Sequence, residues 1–153
     1  MAYTYPYPRP SVTADCVVFR RSPENTEVLL IRRGKPPFRG MWALPGGFME
    51  MDETLETTAR RELEEETGIR TDRLQLIGVY DQPDRDPRGR TISAAFLAEN
   101  EPGSAKESAG SDAEAARWFN VKNLPELAFD HRLIIEDALK MLETYPFGAG
   151  RKS

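Results

Sequence analysis

The sequence predicts a single-domain α+β fold. Its 153 residues suit one domain with a sizeable core, and 39% apolar with 30% charged residues is an ordinary globular composition. Apolar strand-like segments and two helix-like segments alternate with glycine- and proline-rich turns, and no internal repeat is visible.

The N-terminus is predicted to be an extended arm, residues 1–11. Prolines alternate with aromatic residues in Tyr5-Pro6-Tyr7-Pro8, a pattern that resists helix. Two interpretations stay open: a disordered tail, and an arm that packs on a second subunit of a homodimer. The apolar segments Val12 to Phe19 and Glu27 to Arg32 follow, and Ser22-Pro23-Glu24-Asn25 between them is typical of a turn, so they predict a hairpin.

A basic loop, Arg32 to Gly40, comes next and leads into a short strand from Met41 to Gly47. It is either a solvated loop or a cover for the functional site that offers cations to phosphates. Its position next to the acidic helix described below favours the second interpretation. The substrate-binding candidates on this stretch are Arg32, Arg33, Phe38, Arg39, Trp42 and Phe48.

The stretch from Gly47 to Ile69 holds eight carboxylates in twenty-three positions. Thr54 to Thr67 contains no proline or glycine, Asp52 or Thr54 can cap its start, and Gly68 suits the position after the last turn, so a helix is predicted. At about 100° per residue, its apolar stripe is Leu55, Ala59 and Leu63.

Three carboxylates, Glu62, Glu65 and Glu66, lie on or beside that inward stripe. An acidic helix face is usually just solvated, but half-buried like charges repel unless a cation neutralises them. Their i, i+3 and i+4 spacing lets the oxygens converge, and such ligands suit Mg²⁺ or Mn²⁺. Arg61 can pair with Glu65 or with Glu53 and hold the ligands in place.

A second hairpin is predicted after the helix, from the strands Leu74 to Tyr80 and Thr91 to Leu97. Its loop, Asp81 to Arg90, mixes acids with three candidate substrate-binding cations: Arg85, Arg88 and Arg90. A mobile loop, Glu99 to Ser111, then leads to the strand that contains Trp118.

The C-terminal part is predicted to be an amphipathic helix around Leu133 to Leu142, with residues 146–153 as a tail and residues 12–145 as the domain. His131, the one histidine, lies at the predicted helix start, which favours a solvent-exposed or capping role. The single cysteine, Cys16, excludes an internal disulfide and fits a cytoplasmic protein. The net charge of −4 shows no footprint for nucleic acid, and neither a membrane span nor an export signal is recognisable.

The acidic stretch resembles the Nudix hydrolase box at Gly47, Glu53, Arg61-Glu62-Leu63, Glu65-Glu66 and Gly68-Ile69. The resemblance implies an α/β/α sandwich with a mixed β-sheet and hydrolysis of a nucleoside diphosphate linked to another group X. It implies Glu62, Glu65 and Glu66 as metal ligands, adds the carbonyl of Gly46, and gives Arg61 and Glu53 orienting roles. It also implies an acid before the Trp118 strand as a ligand or base, for which Asp112 and Glu114 are the candidates.

Further strings are similar to the bacterial ADP-ribose pyrophosphatase branch of that family. They are Pro36-Pro37-Phe38, Trp42 to Phe48, Asp84 to Arg90 and Ala128-Phe129-Asp130-His131. The first functional hypothesis is therefore hydrolysis of ADP-ribose to AMP and ribose 5-phosphate. The alternatives are hydrolysis of a nucleoside triphosphate, oxidised or not, and an ADP-ribose sensor without catalysis, against which the intact carboxylate set argues.

Overall fold

The structure, a computed structural model, describes residues 2–98 and 113–144. In chain order its elements are β1 (Ser11–Arg21), β2 (Thr26–Arg33), β3 (Trp42–Ala43), β4 (Gly46–Phe48), α1 (Leu55–Thr67), β5 (Leu74–Tyr80), β6 (Thr91–Ala98), β7 (Ala113–Asn120) and α2 (His131–Thr144). The loop Glu99 to Ser111, Asp112 and residues 145–153 lie outside the described residues.

The strands form one mixed sheet around β1. Its main path runs β3-β2-β1-β6-β5, while β4 pairs with β1 and β7 pairs with β2. Strands β1 and β6 are parallel, and the other recorded strand pairs are antiparallel. A parallel neighbour needs a crossover, and the chain supplies it with α1 and β5 between β1 and β6.

The two faces of β1 bury two separate hydrophobic clusters because successive side chains point to opposite faces. Ala14, Cys16 and Val18 pack in the cluster that contains Leu63 of α1. Val17 and Phe19 pack in the cluster that contains Ile134, Ile135 and Ala138 of α2. The sheet therefore lies between the two helices, and the predicted α/β/α sandwich with a mixed sheet is confirmed.

The two predicted hairpins are present. Phe19 faces Val28 across β1 and β2, and the Ser22 N–H donates to the Asn25 carbonyl in the turn. Strands β5 and β6 are likewise antiparallel neighbours. The single short strand predicted from Met41 to Gly47 is wrong, because Leu44 and Pro45 separate β3 from β4. Proline has no N–H for a ladder, whereas its carbonyl still accepts from Cys16 N–H at 2.8 Å.

Helix α1 has the local ends that its sequence predicts. Of the two candidate caps, Thr54 serves: its side-chain oxygen accepts from the Thr57 N–H at 3.1 Å. At the other end Gly68 has φ 80°, and its N–H donates to the Glu64 carbonyl. Between these ends, Ala59 and Leu63 pack in the hydrophobic cluster under the sheet, and Glu62 and Glu66 approach β4.

The arm precedes β1 and is solvent-exposed. Tyr3 and Tyr7 are 64% and 60% exposed, and Arg9 lies over the rings of Tyr5 and Tyr7. In the described part of the chain, no helix has the length and apolar character needed to cross a membrane.

Candidate active site

A pocket of about 220 Å³ lies where β4 and α1 meet the 81–90 loop and the start of α2. Its acidic lining residues are Asp15, Glu50, Glu62, Glu66 and Asp86. Its basic lining residues are Arg33, Lys35, Arg85 and Arg88. Acids and bases thus share one cleft, as expected for a site that binds both a cation and an anion.

Helix α1 presents Glu66 inside this pocket. The carboxylate is buried, with 6% of the residue exposed, and its Oε1 accepts from the Gly46 N–H at 2.7 Å. This bond ties the last turns of α1 to β4. Glu66 therefore sits at the base of the cleft with a defined orientation.

Two glycines of β4 let the strand approach these acids. A Cβ on Gly47 would lie 2.6 Å from the Glu62 carboxyl carbon, and one on Gly46 would overlap the Asp15 side chain. A side chain at either position would force the strand away from α1 and β1. The glycine pair in the sequence is thus explained by close approach to acidic side chains.

Arg61 organises the acids next to the pocket. Its Nε and Nη2 donate to the two oxygens of Glu53 at 2.6 and 2.9 Å, and its Nη1 donates to Glu62 at 2.7 Å. Its contact to Glu65 is longer, 3.4 Å. The hydrogen bonds from Arg61 lower the pKa of Glu53 to about 2, so Glu53 stays ionised.

The side chains of the predicted metal ligands do not converge on one point as the ligands of a bound metal ion would. Glu62 and Glu66 line the pocket, whereas Glu65 is not among the lining residues and has a side chain that is 47% exposed. Within residues 2–98 and 113–144, no three histidine, cysteine or acidic side chains converge as a ready metal cluster. Arg61 and the Gly46 N–H hold Glu62 and Glu66 in the observed arrangement.

The buried carboxylates of the pocket nevertheless suit a divalent cation. Asp15, next to Gly46 across β1 and β4, is 6% exposed. Burial raises its pKa to about 7, and the nearby Glu62 adds to the rise while Arg85 opposes it. Hard carboxylate oxygens of this kind are the donors that Mg²⁺ and Mn²⁺ prefer. The carbonyl of Gly46 remains a predicted ligand.

The cations of the 81–90 loop have different roles. Arg85 is buried, and it donates to both oxygens of Asp130, at 2.9 and 2.7 Å, and to Ser93 at 2.7 Å. Arg88 lines the pocket and pairs with buried Asp86 at 2.8 Å. Arg90 instead donates to the Asp81 carbonyl at 2.6 Å and does not line this pocket.

Only some of the substrate-binding candidates between Arg32 and Phe48 line the pocket. Arg33 and Phe48 line the pocket, and Arg33 Nε donates to the Pro37 carbonyl at 2.7 Å. Arg32, Phe38 and Arg39 are not among the lining residues. Trp42 packs edge-on against Phe119 at 4.8 Å within the α2-side cluster, because its place in β3 turns it toward the core.

His131 is not the exposed or capping residue that its sequence position predicts. It is 5% exposed, and its Nδ1 accepts from the Leu44 N–H at 2.9 Å. Burial lowers its pKa to about 3, so the ring is neutral and carries its proton on Nε2. That N–H is a hydrogen-bond donor on a ring that lines the pocket.

Several lining residues were missed at the sequence level, among them Asp15, Asp86 and Phe129. Asp15 had a signal, because a carboxylate interrupts the apolar run of a central strand. Asp86 and Phe129 are brought in only by tertiary contacts. Asp112 and the Glu114 side chain lie outside what the structure describes, so their roles stay predictions. The backbone of β7 begins beside the pocket, since Ala113 faces Arg33 across the ladder.

The fold and this cleft are typical of a hydrolase that acts on phosphate anhydrides. Residues 9–138 match the NUDIX domain, and the chain belongs to the Nudix hydrolase family.

The relatives are informative about what such proteins bind. The chain is 45% identical over 134 residues to the ADP-ribose pyrophosphatase of Methanocaldococcus jannaschii, covering 88% of this chain and 76% of that protein. It is similar to the NUDIX domain of Shewanella oneidensis NrtR complexed with ADP ribose, with TM-score 0.81, 29% identity and coverage of 89% and 90%. It also resembles a bifunctional NMN adenylyltransferase/ADP ribose pyrophosphatase from Francisella tularensis complexed with AMP and a Mn ion, with TM-score 0.72 and 31% identity. That match covers 92% of this chain and 43% of that one.

Proposed function

We propose that this protein hydrolyses ADP-ribose to AMP and ribose 5-phosphate with Mg²⁺ or Mn²⁺. The observation that carries the proposal is the single cleft in which Glu62 and Glu66 lie among the same lining residues as Arg33 and Arg88. A diphosphate needs both: a cation held by acids, and guanidinium groups for its remaining oxygens. The archaeal relative with 45% identity supports ADP-ribose as the substrate.

The residues of the chain divide the work. Glu62 and Glu66, together with Glu65 and the Gly46 carbonyl, would hold the cation, and Arg61 with Glu53 orients Glu62. When bound, the cation supplies neutralisation of phosphate charge and a lower pKa for a coordinated water. Arg33 and Arg88 bind the diphosphate oxygens. A carboxylate not used as a ligand accepts the proton of the attacking water, and Asp112 and Glu114 remain the candidates.

The reaction is a simple exchange of bonds. Water adds to one phosphorus of the P–O–P bridge, the bridging bond breaks, and the second phosphate leaves with the bridging oxygen. Because a phosphate is already a good leaving group, no covalent enzyme intermediate is required.

We further propose the setting in which this reaction occurs. The partner is a small nucleotide rather than a nucleic acid, consistent with the net charge of −4. The exposed tyrosines of the arm, residues 1–11, would contact a second subunit in a homodimer. A cytoplasmic location suits the single buried thiol of Cys16. Residues 12–145 form the catalytic domain and residues 146–153 a tail.

A substrate panel tests the function. Purified protein is incubated with Mg²⁺ or Mn²⁺ and with ADP-ribose, ATP, dGTP and 8-oxo-dGTP, and products are identified by mass. We expect the highest kcat/KM for ADP-ribose, with AMP and ribose 5-phosphate in equal amounts.

The variant Glu66→Gln, which keeps the volume but not the charge, should lose turnover by several orders of magnitude. Glu64→Gln, at a position whose carboxylate pairs with exposed Arg70, is the matched control. A triphosphate preferred by tenfold or more would overturn the substrate assignment.

A further inference from the structure

Phe129 stands in the turn before α2 in an unusual backbone conformation. Its φ is 55°, in the left-handed region that non-glycine residues rarely adopt. Such a conformation persists only where the surroundings hold it, and it occurs often at binding sites.

Three anchors hold this turn. The Ala128 N–H donates to the Trp42 carbonyl at 2.8 Å, and Asp130 receives both hydrogen bonds from buried Arg85. His131 accepts from the Leu44 N–H. With residues on each side anchored to β3, the 81–90 loop and the β3–β4 connection, the Phe129 ring has a defined place in the pocket wall.

Two guanidinium groups lie against that ring. The central carbon of Arg33 is 5.2 Å from the ring centroid, and that of Arg88 is 5.3 Å from it. Phe38 packs edge-on at 4.8 Å and completes the support. Arg33 ends β2 and Arg88 belongs to the 81–90 loop, so the ring joins two cations from separate parts of the chain.

Two cations this close to one ring need a reason to stay together, because like charges repel. Asp86 neutralises Arg88, with a 2.8 Å contact. The negative face of an aromatic ring attracts both guanidinium groups and holds them near each other. A stacked guanidinium keeps its N–H groups at the edge, where they can bind phosphate oxygens. Among the described residues, Nη1 of Arg88 makes no hydrogen bond, so this edge has a donor to offer.

We propose that Phe129 is a positioning residue that holds Arg33 and Arg88 together so that both bind one diphosphate. The proposal rests on the proposed hydrolysis of ADP-ribose and adds the element that aligns its two cations. Phe129 acts through the arginines and makes no contact with the reacting atoms. Loss of its ring should therefore weaken substrate binding and leave the chemical step intact.

The test compares Phe129→Leu, Phe129→Tyr and Phe129→Gly with the wild-type protein at saturating Mg²⁺. For Phe129→Leu we expect KM for ADP-ribose to rise about tenfold, as loss of one or two cation–π contacts predicts, with kcat within about threefold. Phe129→Tyr keeps the ring and should restore KM. Phe129→Gly relieves the positive φ, so it should match or exceed Phe129→Leu in Tm and yet share its high KM.

A double-mutant cycle with Arg88→Ala identifies the route of the effect. If Phe129 acts through the arginines, Phe129→Leu should raise KM by a smaller factor in the Arg88→Ala background than in the wild-type background. Arg70→Ala, which removes a guanidinium that is 87% exposed and outside the pocket, is the matched control. An unchanged KM in Phe129→Leu, or full multiplication of the two effects on KM, would overturn the proposal.

Calorimetric titration with ADP and Mg²⁺ separates this proposal from the assigned function. ADP carries the diphosphate, so its affinity should fall in Phe129→Leu and recover in Phe129→Tyr whatever the true X group is. Absent turnover of ADP-ribose by the wild-type protein would overturn the function alone. Equal ADP affinity in wild type and Phe129→Leu, or no ADP binding to the wild type, would overturn the role of Phe129.

Discussion

Arg61 donates two hydrogen bonds, of 2.6 and 2.9 Å, to the two carboxylate oxygens of Glu53, and its third guanidinium nitrogen donates to Glu62 at 2.7 Å. Glu53 lies just before α1 and Glu62 lies in its middle. Arg61 therefore connects Glu53, at the start of the helix, to Glu62, an acid of the pocket. Arg61 also donates to the Phe48 carbonyl at 3.1 Å, which adds the end of β4 to the same unit.

Glu53→Gln should lower kcat without unfolding the protein. The amide cannot accept both hydrogen bonds from Arg61, so Arg61 and Glu62 lose their fixed geometry, and such supporting partners are typically worth 10- to 100-fold. Steady-state kinetics across a Mg²⁺ titration measure the loss and any weaker metal activation. Glu56→Gln, which breaks only an exposed pair with Arg60, is the matched control. Unchanged kcat and metal activation would remove Glu53 from the support of the site.

Divalent metal should raise the melting temperature. Asp15, Glu62 and Glu66 are acids of one pocket, and a cation bound only by the folded state shifts the folding equilibrium by about 2.7 kcal/mol at 100 times its dissociation constant. For a domain of this size that corresponds to roughly 5–11 °C. Thermal unfolding in EDTA and in increasing Mg²⁺ measures the shift, and Glu66→Gln should reduce it. A melting temperature that does not respond to millimolar Mg²⁺ would contradict a preformed acidic site.

Arg88→Ala and Arg90→Ala should behave differently. Arg88 lines the pocket against Phe48 at 4.8 Å, whereas Arg90 is engaged with the Asp81 carbonyl. We expect KM for ADP-ribose to rise about tenfold or more in Arg88→Ala, since a hydrogen bond between charged groups is worth about 1.5–3 kcal/mol. Arg90→Ala should keep a KM near that of the wild type. Equal effects of both variants would show that the loop binds substrate differently from this arrangement.

Stability should fall with acidification because of His131. In the folded protein the pKa of His131 is about 3, below its ordinary value of 6.5. Below pH 6.5 the ring is therefore protonated in the unfolded chain but stays neutral in the folded protein. At pH 5 this lowers the free energy of unfolding by about 2 kcal/mol relative to neutral pH. The loss begins as pH falls through 6.5 and stops growing near pH 3.

The variant His131→Asn isolates that contribution. Its amide oxygen can accept from the Leu44 N–H in place of Nδ1, and it does not titrate. Urea unfolding at pH 7.5 and pH 5 should show a smaller loss of stability in His131→Asn than in the wild type. The same loss in both proteins would mean that carboxylates alone set the acid response.

The sequence by itself determined the features that depend on neighbours along the chain. Thr54 and Gly68 bound α1 through hydrogen bonds that span three or four residues, and helical periodicity turns Glu62 and Glu66 inward with Leu63. Hairpin pairing followed from turn residues between apolar segments in the same way. Because these rules act over a few residues, the order of residues alone was enough to predict the Nudix box and its acid-bearing face.

Only the tertiary structure decided which side chains share the pocket. His131 meets Leu44 across 87 residues, and Arg85 meets Asp130 across 45, and no local pattern specifies such pairs. Both loop cations looked equivalent in sequence, yet a buried carboxylate beside one of them makes Arg88 a pocket residue, while Arg90 finds a backbone carbonyl. Tertiary packing also decided which of two aromatic residues, Trp42 or Phe129, lies in the pocket. The sheet directs Trp42 into the core, and long-range anchors hold the Phe129 ring against two arginines of the site.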